Sequence, residues 1–165
     1  SHLIPKISLN TKNVIRMRTF SKAYGMAGLR VGYAIGEKEL ILNFEKIRNH
    51  FGMSRVSQVG ALAALEDNEF INKVVNKVAL TRSRIADIAT RNNCKFIPSF
   101  TNFVAIDCLN DSKFAKRVLD NLINKGVFVR MPYSFPQNRC IRVTVGLDKD
   151  IDLFEKYFPI AIKES

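Results

Sequence analysis

The chain has 165 residues, 47% of them hydrophobic and 25% charged, with 26 basic side chains against 15 acidic ones and a formal net charge of +11. That length suits one well-packed domain, or one small domain plus a piece of another, and no window approaches the roughly 18 consecutive apolar residues of a membrane helix. The charge invites nucleic acid, but only Lys116 and Arg117 are adjacent and the other basic residues are scattered, without the clusters or aromatic interleaving that nucleic-acid recognition uses. A soluble globular protein is expected, with neither membrane nor nucleic acid as partner. The opening SHLIPKIS lacks the charged and apolar regions of a secretion signal, which leaves a cytoplasmic location as the expectation. Cys94, Cys108 and Cys140 are odd in number and widely spaced with no CxxC, so neither a disulfide framework nor a metal site is indicated.

In chain order, NVIRMRTF predicts a short strand ending just before Lys22, and RVGYAIG a second over 31–35, so the lysine sits on the loop between two strands. Leu40, Ile41, Phe44 and Ile47 recur at helical spacing, and SRVSQVGALAALED reads as a further helix after the loop NHFGM. Phe70, Ile71, Val74, Val75 and Val78, continued by Ile85 and Ile88, draw one apolar stripe along a helix from about 67 to 92, ended by Asn92 and Asn93. Strands and helices then alternate: CKFI, NFVAID, a helix from Asp111 to Lys125, VFVR, CIRVTV, and a closing helix from Asp148 to about Phe158. Asp111 suits an N-cap, Gly126 a left-handed position after a helix, Asp148 a second cap and Pro159 a stop. The expected fold class is α/β, with a boundary at 92–94: residues 1–92 supply too few strands for a complete sheet, and residues 93–165 read as a compact α+β unit.

The stretch RTFSKAYGMAGLRVGYAIG, residues 18–36, carries the chemistry. A lysine with its ordinary pKa near 10.4 is a poor nucleophile at neutral pH unless burial or a cationic neighbour lowers that value. Small residues let a backbone approach a ligand closely, and Thr19, Ser21 and Arg30 offer two hydroxyls and a guanidinium to a phosphate. Lysine plus phosphate clamp is what pyridoxal 5'-phosphate needs, since a lysine forms the Schiff base with its aldehyde. By residue type alone the same stretch is also an ordinary surface loop, and the order GxxxxGK[ST] of a nucleotide-binding loop is absent.

TFSKAYGMAGLRVGY resembles the cofactor-lysine segment of the fold-type I (class I/II) aminotransferases, and SKAYGMAGLR the version found in histidinol-phosphate aminotransferases and their relatives. The similarity continues through GALAAL, the long helix, TNFVAID and GVFVRMP to NRCIRVTVG, in the family's order. The resemblance implies the end of the large cofactor-binding domain over 1–92 and the small α+β domain over 93–165. It implies that Lys22 forms the Schiff base and later shuttles a proton between substrate and cofactor, and that Thr19, Ser21 and Arg30 hold the cofactor phosphate. It further implies that Arg142 binds the amino-acid carboxylate and Arg130 a substrate phosphate, and that the partners are amino-acid and keto-acid substrates within a homodimer. Strand alternation agrees for Arg142, which lies opposite in direction to Ile141 and Val143. By residue type alone both arginines also read as strand-edge charges.

The family places an aspartate for the pyridine nitrogen, a residue for the ring oxygen and a further phosphate loop upstream of the lysine strand. The 165 residues are therefore expected to be the carboxyl-terminal part of an aminotransferase, inactive in isolation. NHFGMSR departs from a Pro-aromatic-Asn pattern, which makes His50 and Arg55 candidates for altered substrate choice or plain surface residues; Tyr24 is a candidate for cofactor stacking or packing. A decarboxylase of the same fold and a non-catalytic oligomerisation or binding fragment are the competing readings.

Overall fold

A computed structural model describes Ser8 and residues 11–165. The opening segment read above for a secretion signal lies almost wholly outside the described residues. The molecule is a mixed α/β structure of two compact units that divide between Val74 and Val75. Among the described residues no helix is long and apolar enough to cross a membrane.

The first unit begins with an antiparallel ribbon, β1 (Ile15–Thr19) against β2 (Gly32–Gly36), in a register that runs from Ile15 opposite Gly36 to Thr19 opposite Gly32. Gly32 permits this pairing, because a Cβ there would stand 2.6 Å from the Arg18 carbonyl oxygen. A short helix α1 (Lys38–Leu42) tightens into a 3-10 turn over Asn43–Lys46, so the helical spacing of Leu40, Ile41 and Phe44 is met by two short pieces. Helix α2 (Arg55–Glu66) is capped by Ser54, whose side chain accepts from the Ser57 N–H. Among the described residues of this unit only Phe20, Val31 and Ser57 are buried.

The long helix α3 (Asn68–Arg91) follows, and the division into units falls inside it. A boundary at the helix's end was expected from the sequence; the stripe of Ile85, Ile88 and Ala89 explains the difference, since these residues belong to the core of the second unit. That unit carries a three-stranded antiparallel sheet in the order β3 (Lys95–Ile97), β4 (Phe103–Asp107), β5 (Cys140–Thr144), with helices α4 (Ser112–Asn124) and α5 (Asp148–Lys163). Val104 and Ile106 of β4 and Ile141 and Val143 of β5 meet Ala115, Val118 and Leu122 of α4 and Ile151, Phe154, Phe158 and Ala161 of α5 in one cluster. Asp111 caps α4 by accepting from the Phe114 N–H at 2.8 Å, and Gly126 has φ 79° just beyond its end, both as the sequence indicates.

Two local expectations need correction. VFVR forms no continuous strand: Val127 and Val129 are buried, but only Arg130 makes a bridge, to Arg142. Pro159 does not stop the last helix, which runs on to Lys163, and its cap is Leu147, whose N–H is accepted by Asp150 Oδ2 at 3.0 Å, instead of Asp148. Proline removes one helical N–H; the continuing buried residues Phe158 and Ala161 hold the turn in place.

Candidate functional site

The β1–β2 connection is held at its feet and at one side. Thr19 pairs with Gly32, and the Phe20 N–H donates to the Val31 carbonyl at 3.2 Å, so Ser21 and Arg30 are the next residues on either side of a closed neck. The Met26 N–H returns to the Phe20 carbonyl at 3.0 Å, and Gly25, with φ 68°, closes a turn by donating to the Lys22 carbonyl at 2.9 Å. Phe20 is 2% exposed and packs against Tyr24 at 4.7 Å between ring centroids and Tyr33 at 5.8 Å. Tyr24 is thus a packing residue of the loop.

The outer side of the loop is docked by α2. Ser57 Oγ donates to the Leu29 carbonyl at 2.6 Å and shares a hydrogen bond with Ser54 Oγ at 2.8 Å. Gly60 keeps room for the loop, because a Cβ there would come within 3.2 Å of both Leu29 Cδ1 and Met26 Cε. Ser57 was missed by sequence reasoning: Ser54 reads as a helix cap, but nothing in the local pattern points to a carbonyl in another loop.

On this frame Thr19, Ser21, Lys22 and Arg30 all lie on one short connection. The Ser21 N–H donates to Thr19 Oγ1 at 3.0 Å, which orders the turn into the loop. Among the described residues the Lys22 side chain is exposed and has no hydrogen-bonding or ionic partner. Arg30 takes a left-handed conformation, φ 52° and ψ 48°, with its Nη1 donating to the Ala27 carbonyl at 2.6 Å; a non-glycine residue there costs about 1–2 kcal/mol. Gly25 and Gly28 face open space where a side chain would otherwise stand. A free primary amine, two hydroxyls and a guanidinium around small residues form a donor set that fits an aldehyde carrying a phosphate.

The second unit brings the other two candidates together. Arg130 and Arg142 are directly opposed on a bridge, with N–H to carbonyl distances of 3.1 and 2.6 Å, so both side chains leave the same side. The Arg142 guanidinium lies 4.9 Å over the Phe103 ring, and its Nε is buried with no hydrogen-bond partner among the described residues. Arg130 is exposed, and both line an open groove of about 980 Å³ with Phe128, Met131, Tyr133 and Asn138. Like charges placed opposite one another repel, and a buried guanidinium N–H without an acceptor is costly. An anion answers both. His50 and Arg55 lie exposed, at the loop before α2 and at its first residue.

Residues 5–153 match the family model of the class I and II aminotransferases, and the chain belongs to that family. It is 39% identical over 145 residues to a histidinol-phosphate aminotransferase of Aliarcobacter butzleri, a match covering 87% of this chain and 39% of that protein. To the histidinol-phosphate aminotransferase of Bacillus velezensis it is 41% identical, over 81% of this chain and 36% of the relative. Among solved structures, a histidinol-phosphate aminotransferase from Sinorhizobium meliloti in complex with pyridoxal-5'-phosphate superposes with a TM-score of 0.88 and 45% identity, covering 94% of this chain and 42% of that one. The chain spans about two fifths of the length of the curated relatives it matches.

Proposed function

We propose that this chain is the carboxyl-terminal part of a pyridoxal-phosphate-dependent aminotransferase of the histidinol-phosphate type, with the first unit belonging to the large cofactor domain and the second unit, which takes in the end of α3, to the small domain. The observation that carries the reading is the Lys22 loop: an unpartnered amine on a connection pinned by Phe20, Val31 and Ser57, flanked by hydroxyls and a guanidinium. Lys22 Nζ would bind the cofactor aldehyde, and the Thr19 and Ser21 hydroxyls with the Arg30 guanidinium would hold its phosphate. When bound, the cofactor accepts the electron pair left when a substrate bond at the α-carbon breaks. Lys22 Nζ would also carry the substrate's α-proton away and return it elsewhere, general acid–base work that a positioned amine performs. Arg142 binds the substrate carboxylate through its planar fork, oriented by Phe103, and Arg130 takes the second anion of a phosphorylated substrate.

The substrates on this reading are an amino acid such as glutamate and a phosphorylated carbonyl compound, and the active form is a cytoplasmic homodimer. The test is the complete protein, loaded with the cofactor and given glutamate: 2-oxoglutarate must form beyond one equivalent per cofactor only when an amino-group acceptor is present. Release of carbon dioxide from a phosphorylated amino acid without any keto-acid requirement would replace the aminotransferase with a decarboxylase.

A further inference from the structure

Two of the three cysteines meet at one end of the three-stranded sheet and take no part in the site described above. Cys94 leads into β3 and Cys108 follows β4. The ladder pairs Lys95 with Asp107 and Phe96 with Ile106; continued by one residue in the same antiparallel register, it sets Cys94 opposite Cys108. Their backbone N–H groups are committed elsewhere, Cys94 to the Ala89 carbonyl at 3.0 Å and Cys108 to the Arg139 carbonyl at 3.2 Å. That makes the pair a non-hydrogen-bonded antiparallel position, where opposed Cα atoms stand about 4.5 Å apart and side chains approach most closely. A disulfide spans Cα separations of about 4.4–6.8 Å.

Side-chain direction agrees with the backbone. Cys108 follows Val104 and Ile106 at the strand's period of two, and Cys94 and Cys108 both belong to the buried cluster that contains those residues. The charge balance agrees with the pairing: Cys108 holds the Cys94 thiol below its ordinary value, while Cys94 and burial push Cys108 up. Cys140 is opposed to Asp107 instead, on the other face of the sheet. It is equally buried and provides an internal control.

We propose that Cys94 and Cys108 form an oxidisable dithiol, a modification site that low-molecular-weight disulfides close to an intramolecular disulfide joining the exit of α3 to the end of β4. Cys94 loses its proton to solvent, attacks one sulfur of the reagent and displaces the other as a thiolate. Cys108, its proton also lost to solvent, attacks the Cys94 sulfur and displaces the second thiolate. Two protein thiols are oxidised, and one reagent disulfide is reduced to two thiols once the released protons are taken up.

The experiment is incubation of the folded chain with oxidised glutathione, an acid quench, alkylation under denaturing conditions and peptide mapping without reductant. The expected map joins the peptides of Cys94 and Cys108 with Cys140 alkylated, and the oxidised chain melts several degrees higher because the bond restricts the unfolded state. A Cys140→Ser variant closes the same bond at the same rate, whereas Cys94→Ala forms no internal bond. Alkylation of all three cysteines, a lasting glutathione adduct on Cys94 or Cys108, or a crosslink to Cys140 would overturn the proposal.

Discussion

The two units bury their apolar residues very differently. Among the described residues, all eighteen of the continuous core cluster lie beyond Val75, in a sheet and helices that close over one another. Before Val74, the ribbon and helices leave Met17, Leu42, Ile47, Phe51, Val56, Val59 and Leu62 exposed, and Phe51 is 93% accessible. A two-stranded ribbon has little stability alone, and exposed apolar residues in such number mark a surface meant to be covered. The contrast teaches where order in this chain originates: the second unit holds itself together, whereas the first concentrates the few buried groups among its described residues, Phe20, Val31 and Ser57, around the lysine loop.

The sharpest way to break that comparison is at the loop itself. In the complete, cofactor-loaded protein, Lys22→Ala should lower transamination by at least the roughly 10²–10⁴-fold that a positioned acid–base group contributes, measured as the rate of 2-oxoglutarate formation. Next comes packing. Phe154, 1% exposed in the second unit, should lose about 3–5 kcal/mol on Phe154→Ala in denaturant unfolding, while Leu62→Ala on the exposed side of α2 in the isolated chain should stay within about 0.5 kcal/mol. Equal costs at the two positions would erase the distinction between the units.

Two smaller changes sharpen it. Arg142→Lys keeps the charge but loses the planar fork stacked on Phe103, and should raise KM for the amino acid roughly tenfold to a hundredfold with a smaller effect on kcat. Ser57→Ala leaves the Leu29 carbonyl without its donor, at a cost of about 1 kcal/mol, and should speed hydrogen exchange of the Gly25 and Met26 amides. The smallest effect is a pH dependence. Hydrogen bonds from Arg84 and then Arg91 hold Glu155 below the usual carboxylate range, and Lys77 does the same for Asp148. Because the folded values are lowered, this stabilisation is complete above the ordinary carboxylate value of about 4.3 and is lost as pH falls through the lowered ones. These groups are largely solvated, so the slope is shallow. Glu155→Gln should flatten it in melting curves taken across acid pH.

Legibility in the sequence followed another divide, between local chemistry and packing. Elements whose limits are set by local chemistry were readable: Asp111 as a cap, Gly126 as a left-handed position, the alternation that sends Arg142 away from Ile141 and Val143. Elements decided by packing were not. VFVR has the composition of a strand, but it contributes only the Arg130–Arg142 bridge, because ladder formation depends on a partner that composition does not reveal. Pro159 reads as a stop, yet burial of Phe158 and Ala161 outweighs one missing hydrogen bond. At the site, Lys22, Thr19, Ser21 and Arg30 could be chosen from their residue types and family likeness. The neck between Phe20 and Val31 and the brace from Ser57 depend on separations of many residues and became visible only in the fold.

The most direct measurement is borohydride reduction of the complete protein with pyridoxal phosphate, followed by mass mapping of the fixed adduct. The account predicts a single phosphopyridoxyl label on Lys22, lost in Lys22→Ala. Label spread over surface lysines, or fixed on another lysine, would contradict it.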